Sequence, residues 1–232
     1  MAIGHKKRFW LFVFIRTLAN TLIVVGVIFS FIAFWPFISS EIRYRWDQWR
    51  DQKYSIDTAA VPSSGLGGLL GKPPPIKITP VNKDFGIIIE KIHVNAPVIT
   101  DVDSTKYAVY IDALNRGVAH ARGTGKPGEP TKEGNNNTFL FAHSAINPFY
   151  AKKYNAVFYL LRKVEVGNRI VVFYKQKRFD YLVKDKRVVE ASDVRYLTEP
   201  SKKPLLTLQT CDPPGSSLRR LIITAEPDPK TT

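Results

Sequence analysis

The sequence predicts a mainly β domain, a barrel or sandwich of short strands, carried behind an N-terminal transmembrane helix. Three observations predict it: an uncharged apolar run of 21 residues near the start, a Gly/Pro-rich stretch after it, and from Val81 onward a succession of short β-branched runs divided by turn residues. At 232 residues the chain holds one sizeable domain plus an accessory element.

The first eight residues, MAIGHKKR, are polar and positive, and Leu18 to Ile38 (LANTLIVVGVIFSFIAFWPFI) carries no charge. At ~1.5 Å per helical residue such a run crosses ~30 Å of hydrocarbon. It is longer than the apolar region of a signal peptide, and no small-x-small cleavage site follows it. Trp35, with Trp46 and Trp49 beyond it, suits a membrane interface, and Arg16 can snorkel to the near side. His5, Lys6, Lys7, Arg8 and Arg16 precede the span, whereas Arg43, Arg45 and Arg50 after it are offset by Glu41, Asp47 and Asp51. The positive-inside rule therefore puts the N-terminus in the cytoplasm and the bulk of the chain outside it.

The chain divides into a basic leader (1–17), the span (18–38), a juxtamembrane segment with a Pro/Gly linker (39–80) and the β domain (81–232). The stretch EIRYRWDQWRDQK is expected to carry the helix a few turns past the lipid. VPSSGLGGLLGKPPP reads as a spacer, because its glycines and prolines oppose a packed core.

In the domain, Phe85 to Ile99 reads as two short strands bent at Asn95 and Pro97, and Ser104 to Asn115 as a helical turn ending before Gly117. Residues 117–137 read as a long loop, followed by a strand over Thr138 to Ala142 that ends at His143. Pro148 to Lys163 has helix-like apolar spacing, and Val164 to Gly167 reads as a turn. Short strands are expected at Ile170 to Tyr174, Phe179 to Lys184, Arg187 to Val189, Leu205 to Thr210 and Leu221 to Ala225.

Lys and Arg number 34 against 20 Asp and Glu, and the excess is spread along the chain, with ten basic and four acidic residues before Val81. A nucleic-acid surface would cluster them on one element with aromatics between, so that class is excluded; diffuse positive charge fits an anionic membrane or wall surface. The single cysteine, Cys211, cannot form an internal disulfide and is either an inert core thiol or a reactive one. A reactive thiol needs a proton-handling partner and donors for an oxyanion. His143, at another strand end, and Arg219 and Arg220, opening the strand after the thiol, are residues of those kinds.

The stretch TLQTC, followed by a loop and then RRLII, resembles the TLxTC…R signature of the sortases, membrane-anchored cysteine transpeptidases of bacterial surfaces. EKIHVNAPV, NRGVAHARGTGKPGEPTKEGNNNTFLFAHS and FYLLRKVEVGNRIVV are similar to further blocks of that family in unbroken order from Phe85 to Glu226. The resemblance implies that 81–232 is a sortase-like catalytic domain, a closed eight-stranded β-barrel with short helices.

Residue by residue, the resemblance implies Cys211 as nucleophile, His143 as the histidine that protonates the leaving amine, and Arg220 as the oxyanion and substrate clamp. Arg220 is preferred over Arg219 because three apolar strand residues follow it directly, and alternation turns the two arginines to opposite faces. Ala142 stands where the family commonly has glycine. His120 matches a second family histidine and is read as loop bracing; Thr210, and with it Thr207, is read as a supporting strand residue able to offer donors. His93 and His5 have no chemical role in this reading.

The implied reaction is cleavage of an LPxTG-like sorting signal through a Cys211 thioester and transfer of the acyl group to an amine of a cell-wall precursor or pilin lysine. The implied partners are surface proteins with a C-terminal sorting signal, the amine acceptor and the cytoplasmic membrane, with no nucleic acid. The expected location is a single-pass cell-membrane protein with its catalytic domain outside. No cofactor is expected: no zinc spacing or phosphate loop is present, and the calcium dependence of some sortases cannot be assigned to particular acids. Two alternatives stand beside this reading, a thiol peptidase or hydrolase on the same fold and a non-catalytic membrane-tethered peptide-binding barrel.

Overall fold

In the computed structural model of the protein, residues 3–50, 52, 54–56, 76–144, 154 and 156–231 are described. They divide into two compact units, Met1–Ile42 and Arg43–Thr232.

The first unit lies within helix α1, Ile3–Trp49. Its stretch Arg8–Trp35, 28 residues, is long and apolar enough to cross a membrane. Leu22, Ile23 and Phe29 of this stretch are exposed, as are most of its apolar side chains, an arrangement that lipid accommodates and water does not.

The second unit begins with the last two turns of α1, so the predicted helical extension reaches Trp49. Tyr44 packs against the main core, and the ammonium groups of Lys91 and Lys163 lie 5.9 and 5.3 Å from its ring centroid. Asp47 pairs with His93 at 3.2 Å, and Lys91 donates to Gln48 Oε1 at 3.1 Å. The two described ends of the expected linker form a short parallel ribbon of β1 (Tyr54–Ser55) and β2 (Ile76–Lys77). Ile56 and Ile78 beside it pack on Ile88, Val171 and Phe173, so these ends are attached to the domain rather than free of it.

Eight strands follow: β3 (Phe85–Ile89), β4 (Val94–Val102), β5 (Val118–Ala121), β6 (Asn137–Phe141), β7 (Arg169–Tyr174), β8 (Lys177–Glu190), β9 (Leu205–Asp212) and β10 (Arg219–Pro227). They close a barrel in the order β10-β8-β7-β3-β4-β5-β6-β9. The β4–β5 and β6–β9 pairs are parallel and the other barrel pairs antiparallel. Alternation turns Leu206 and Leu208 of β9, Leu221 and Ile223 of β10 and Leu140 of β6 into one core, and each fully buried Leu or Ile contributes about 1.5–3 kcal/mol.

Several boundaries differ from the sequence reading. The bend expected at Asn95 and Pro97 falls instead on the one-turn 3-10 helix Glu90–Ile92 and on His93, whose φ of 57° is left-handed. Asn95 and Pro97 lie inside β4. The expected long loop contains β5, a four-residue strand buried on both faces and therefore without an alternating pattern to read. The expected strands Phe179 to Lys184 and Arg187 to Val189 are one 14-residue strand, since polar residues on its outer side do not interrupt the ladder to β10. Of the helix-like stretch Pro148 to Lys163, residues 148–153 and 155 lie outside the described residues, and the described remainder is turn and the 3-10 helix Leu161–Lys163.

Helix α2, Tyr107–Arg116, connects β4 to β5 and packs on both. A β-carbon on Gly117 would come within 2.3 Å of the Pro97 carbonyl oxygen, so only glycine lets the helix end so close to β4. A short helix α3, Arg195–Thr198, lies in the β8–β9 connection.

Candidate active site

Core-facing Leu206 and Leu208 turn the odd-numbered residues of β9 outward, and core-facing Leu221, Ile223 and Ala225 turn the even-numbered residues of β10 outward. Cys211 and Arg220 are therefore on the outer face, and they are direct partners in the β9–β10 ladder. Side chains of directly opposed residues share a face with Cβ atoms about 4.5–5.5 Å apart. Arg219 opposes Asp212 instead, and its guanidinium lies 3.8 Å from the Asp212 carboxylate. The expected division of the two arginines between faces is thus present.

Parallel pairing of β6 with β9 brings in the histidine. Phe141 opposes Gln209, and the Ala142 N–H extends the ladder by donating to the Gln209 carbonyl at 3.2 Å. His143 follows the last paired residue of β6 by two positions, as Cys211 follows Gln209 on the neighbouring strand. The His143 carbonyl accepts from the Phe158 N–H at 3.0 Å, which fixes the backbone just past β6. Its ring makes no hydrogen bond among the described residues, and burial holds the imidazole below its ordinary pKa, neutral at pH 7. Cys211 itself is a half-buried free thiol.

Arg220 is oriented by its own loop. Nη1 donates to the Ser217 carbonyl at 2.9 Å and to the Arg219 carbonyl at 3.0 Å, leaving the other guanidinium nitrogens for an anion. Thr210 faces inward; its hydroxyl donates to the Ala142 carbonyl at 2.8 Å and ties β9 to the residue before His143. The Thr207 hydroxyl is likewise engaged, donating to Asn137 Oδ1 at 2.9 Å. Both threonines therefore brace the wall that carries the thiol.

His120 is in a different place, inside the barrel and fully buried. Its Nδ1 accepts from the Asp101 N–H at 3.2 Å, so the proton sits on Nε2, which faces the Gly125 carbonyl at 2.9 Å and the Thr124 hydroxyl at 3.1 Å. This is the loop brace expected from the sequence. Burial first, and then Lys126, lower its pKa against the opposing pull of Gly125 and Asp101.

Two further residues escaped the sequence reading. Ser144, directly after His143, is 2 % exposed, and its hydroxyl has no hydrogen-bond partner among the described residues. Tyr110 on α2 is half-buried, and burial first, then Tyr107 and Cys211, hold its phenol above the ordinary pKa, with Arg220 opposing. Its spacing from buried Ala113 and Leu114, three and four residues on, was the available signal. A polar cavity of about 350 Å³, lined by Gln48, Lys91, His93, Asn168 and Arg169 among others, includes none of Cys211, His143 and Arg220. Among the described residues no group of three or more His, Cys, Asp or Glu side chains is placed to hold a metal ion.

An eight-stranded barrel with a thiol and a guanidinium paired on one outer face, and a histidine just past the adjoining strand, defines a class of thiol-bearing β-barrels. The sequence model of the Sortase domain matches residues 87–228, and the chain belongs to the sortase family, the cysteine transpeptidases. Among solved structures it is similar to sortase C of Clostridium perfringens with the C-terminal cell wall sorting motif (24 % identity, TM-score 0.50, 68 % of this chain and 76 % of that one). It is also similar to Streptococcus agalactiae sortase C1 in complex with MTSET (23 % identity, TM-score 0.50, covering 62 % and 67 %). Sortase C-1 of Actinomyces oris matches at 25 % identity and TM-score 0.49, covering 64 % and 76 %. These likenesses are of fold. No curated protein matches the chain.

Proposed function

We propose that the protein is a membrane-anchored transpeptidase that cleaves an LPxTG-like sorting signal and transfers the acyl fragment to an amine. The observation that carries this reading is the β9–β10 register, which sets Arg220 directly opposite Cys211 on the outer face; His143 just past β6, the strand that pairs with β9 on its other side, supports it. The Clostridium perfringens neighbour's sorting motif supports the substrate class.

The Cys211 proton passes to His143, and the thiolate attacks the scissile carbonyl. Arg220 faces the oxyanion that forms. When the tetrahedral intermediate collapses, the carbon–nitrogen bond breaks, the His143 imidazolium protonates the leaving amine, and a thioester is left on Cys211. An incoming amine from a wall precursor or pilin lysine gives its proton to His143, attacks the thioester and restores the thiol. Burial keeps His143 neutral near pH 7, the form that can take that proton. No metal or cofactor enters these steps. The N-terminus lies in the cytoplasm and the barrel outside, where surface proteins and wall amines are encountered.

The test incubates the full chain in detergent or nanodiscs with a panel of sorting-motif peptides, with and without an added amine, and follows products and the Cys211 adduct by mass spectrometry. Thioester formation and an amine-dependent product are expected. A Cys211→Ala variant that cleaves as fast as the parent would sink the reading, and product formed only by hydrolysis at saturating amine would replace it with a thiol hydrolase.

A further inference from the structure

Beyond the buried Thr210–Leu221 pair, the β9–β10 ladder ends on two rungs, Cys211 opposite Arg220 and then Asp212 opposite Arg219. By alternation the last rung faces away from the thiol; its guanidinium and carboxylate are 3.8 Å apart, and Asp212 is the better buried of the two. On the other side of Arg219 the ladder to β8 sets Glu190, so the rung runs acid, base, acid across β8, β10 and β9. Opposite charges directly across a ladder support its pairing.

Residues 213–218 then form the connecting loop. The bonds its N–H groups make among the described residues stay within it: Ser216 donates to the Pro213 carbonyl at 3.0 Å, and Leu218 to Ser216 Oγ at 3.4 Å. Arg220 takes its orientation from this loop, since Nη1 donates to the Ser217 carbonyl at 2.9 Å and to the Arg219 carbonyl at 3.0 Å. One acceptor lies in the loop and the other in the Asp212–Arg219 rung. The rung therefore pins the loop that aims the guanidinium to the strand that carries the thiol.

We propose that Asp212 and Arg219 are positioning residues, whose pairing holds the loop so that the Arg220 guanidinium stands beside Cys211. The proposal rests on Cys211 being the nucleophile and Arg220 its clamp. No covalent bond forms or breaks at either residue. The charge of Asp212 by itself opposes an anion at the neighbouring thiol, so removing that charge without moving Arg220 favours the anion, whereas releasing Arg220 disfavours it. The sign of the effect separates position from field.

The experiment alkylates the full chain in detergent at low salt with anionic iodoacetate and with neutral iodoacetamide. Because Cys211 is the only cysteine, the ratio of the two rates reads the positive charge beside it and needs no sorting peptide. Arg220→Gln is expected to lower the ratio several-fold and sets the floor. Asp212→Asn is expected to lower it in the same direction, and Asp212→Glu, which keeps the carboxylate, to follow the parent. With a peptide that the parent turns over, kcat/KM of Asp212→Asn is expected to fall about threefold and that of Asp212→Glu to stay near the parent's. A ratio that is unchanged or rises in Asp212→Asn overturns the proposal, because the lost charge is then felt without any movement of Arg220. A fall that comes with a lowered urea midpoint overturns it too, by making the rung a general brace, as does an Arg220→Gln ratio equal to the parent's. If the parent turns over no sorting peptide, the sorting-signal reading is lost and the alkylation ratio alone decides for or against the rung.

Discussion

Two histidines on neighbouring strands serve as controls for one another. His120 in β5 and His143 just past β6 are both pushed toward the neutral form by burial. The His120 ring is satisfied at both nitrogens, by the Asp101 N–H on one side and the Gly125 carbonyl on the other. The His143 ring has no such partner among the described residues. Burial acting in the same direction with opposite hydrogen-bond status distinguishes the two rings: His120 gives up two bonds to move, whereas His143 gives up none among the described residues.

The largest effects that test this contrast are kinetic. Cys211→Ala is expected to abolish transfer, and His143→Ala to reduce kcat/KM by about 10²–10⁴-fold, measured by peptide cleavage with an added amine. Arg220→Ala should cost about 10²–10³-fold and Arg219→Ala no more than a few-fold. Equal losses at the two arginines would contradict the division of faces.

The next effect is on stability, and it reverses the order of the histidines. His120→Ala strands the buried Gly125 carbonyl, removes the partner of the half-buried Asp101 N–H and empties a fully buried site, and should destabilise by about 2–4 kcal/mol in urea unfolding. His143→Ala should cost less than about 1 kcal/mol. A His143→Ala variant that unfolds as readily as His120→Ala would turn the proton carrier into a second brace.

The pH dependence follows from the same pair. Both folded pKa values lie below the ordinary value of 6.5, so the unfolded chain binds more protons than the folded one as the pH falls past 6.5. The histidine contribution is complete above 6.5 and is lost progressively in more acid solution. Urea midpoints should fall between pH 7 and pH 5, and a His120→Gln variant should show a flatter decline. An identical slope in that variant would assign the acid sensitivity elsewhere.

The smallest expected effect is at Ser144. An unpaired buried hydroxyl costs about 1–3 kcal/mol, so Ser144→Ala should leave stability unchanged or raise it slightly. A clear loss in thermal unfolding would reveal a partner for the hydroxyl.

Much of the fold was legible because it is written in local pattern. The charge-free run, the β-branched strands and the turn at Gly167 depend on residues close in sequence. β5 was missed because a strand buried on both faces shows no alternation, and β8 was divided because its long outer face is polar. At the site, the chemical types of Cys211, His143 and Arg220 were legible, but the pairing of Cys211 with Arg220 across the ladder was not, since it is set by the register of β9 against β10.

By itself the sequence determined the parts: one thiol, a pair of adjacent arginines that must face opposite ways, a histidine at a strand end, and a helix too apolar for water. Tertiary structure alone decided which of them meet. The β9–β10 register set Arg220 rather than Arg219 across from Cys211, the parallel β6–β9 pairing put the strand that ends just before His143 beside the thiol's strand, and the inward turn of Thr210 committed its hydroxyl to Ala142. The physical reason is that register between strands distant in sequence is chosen by closing the barrel around a single core, and a slip of one residue would exchange the faces of every side chain on the strand.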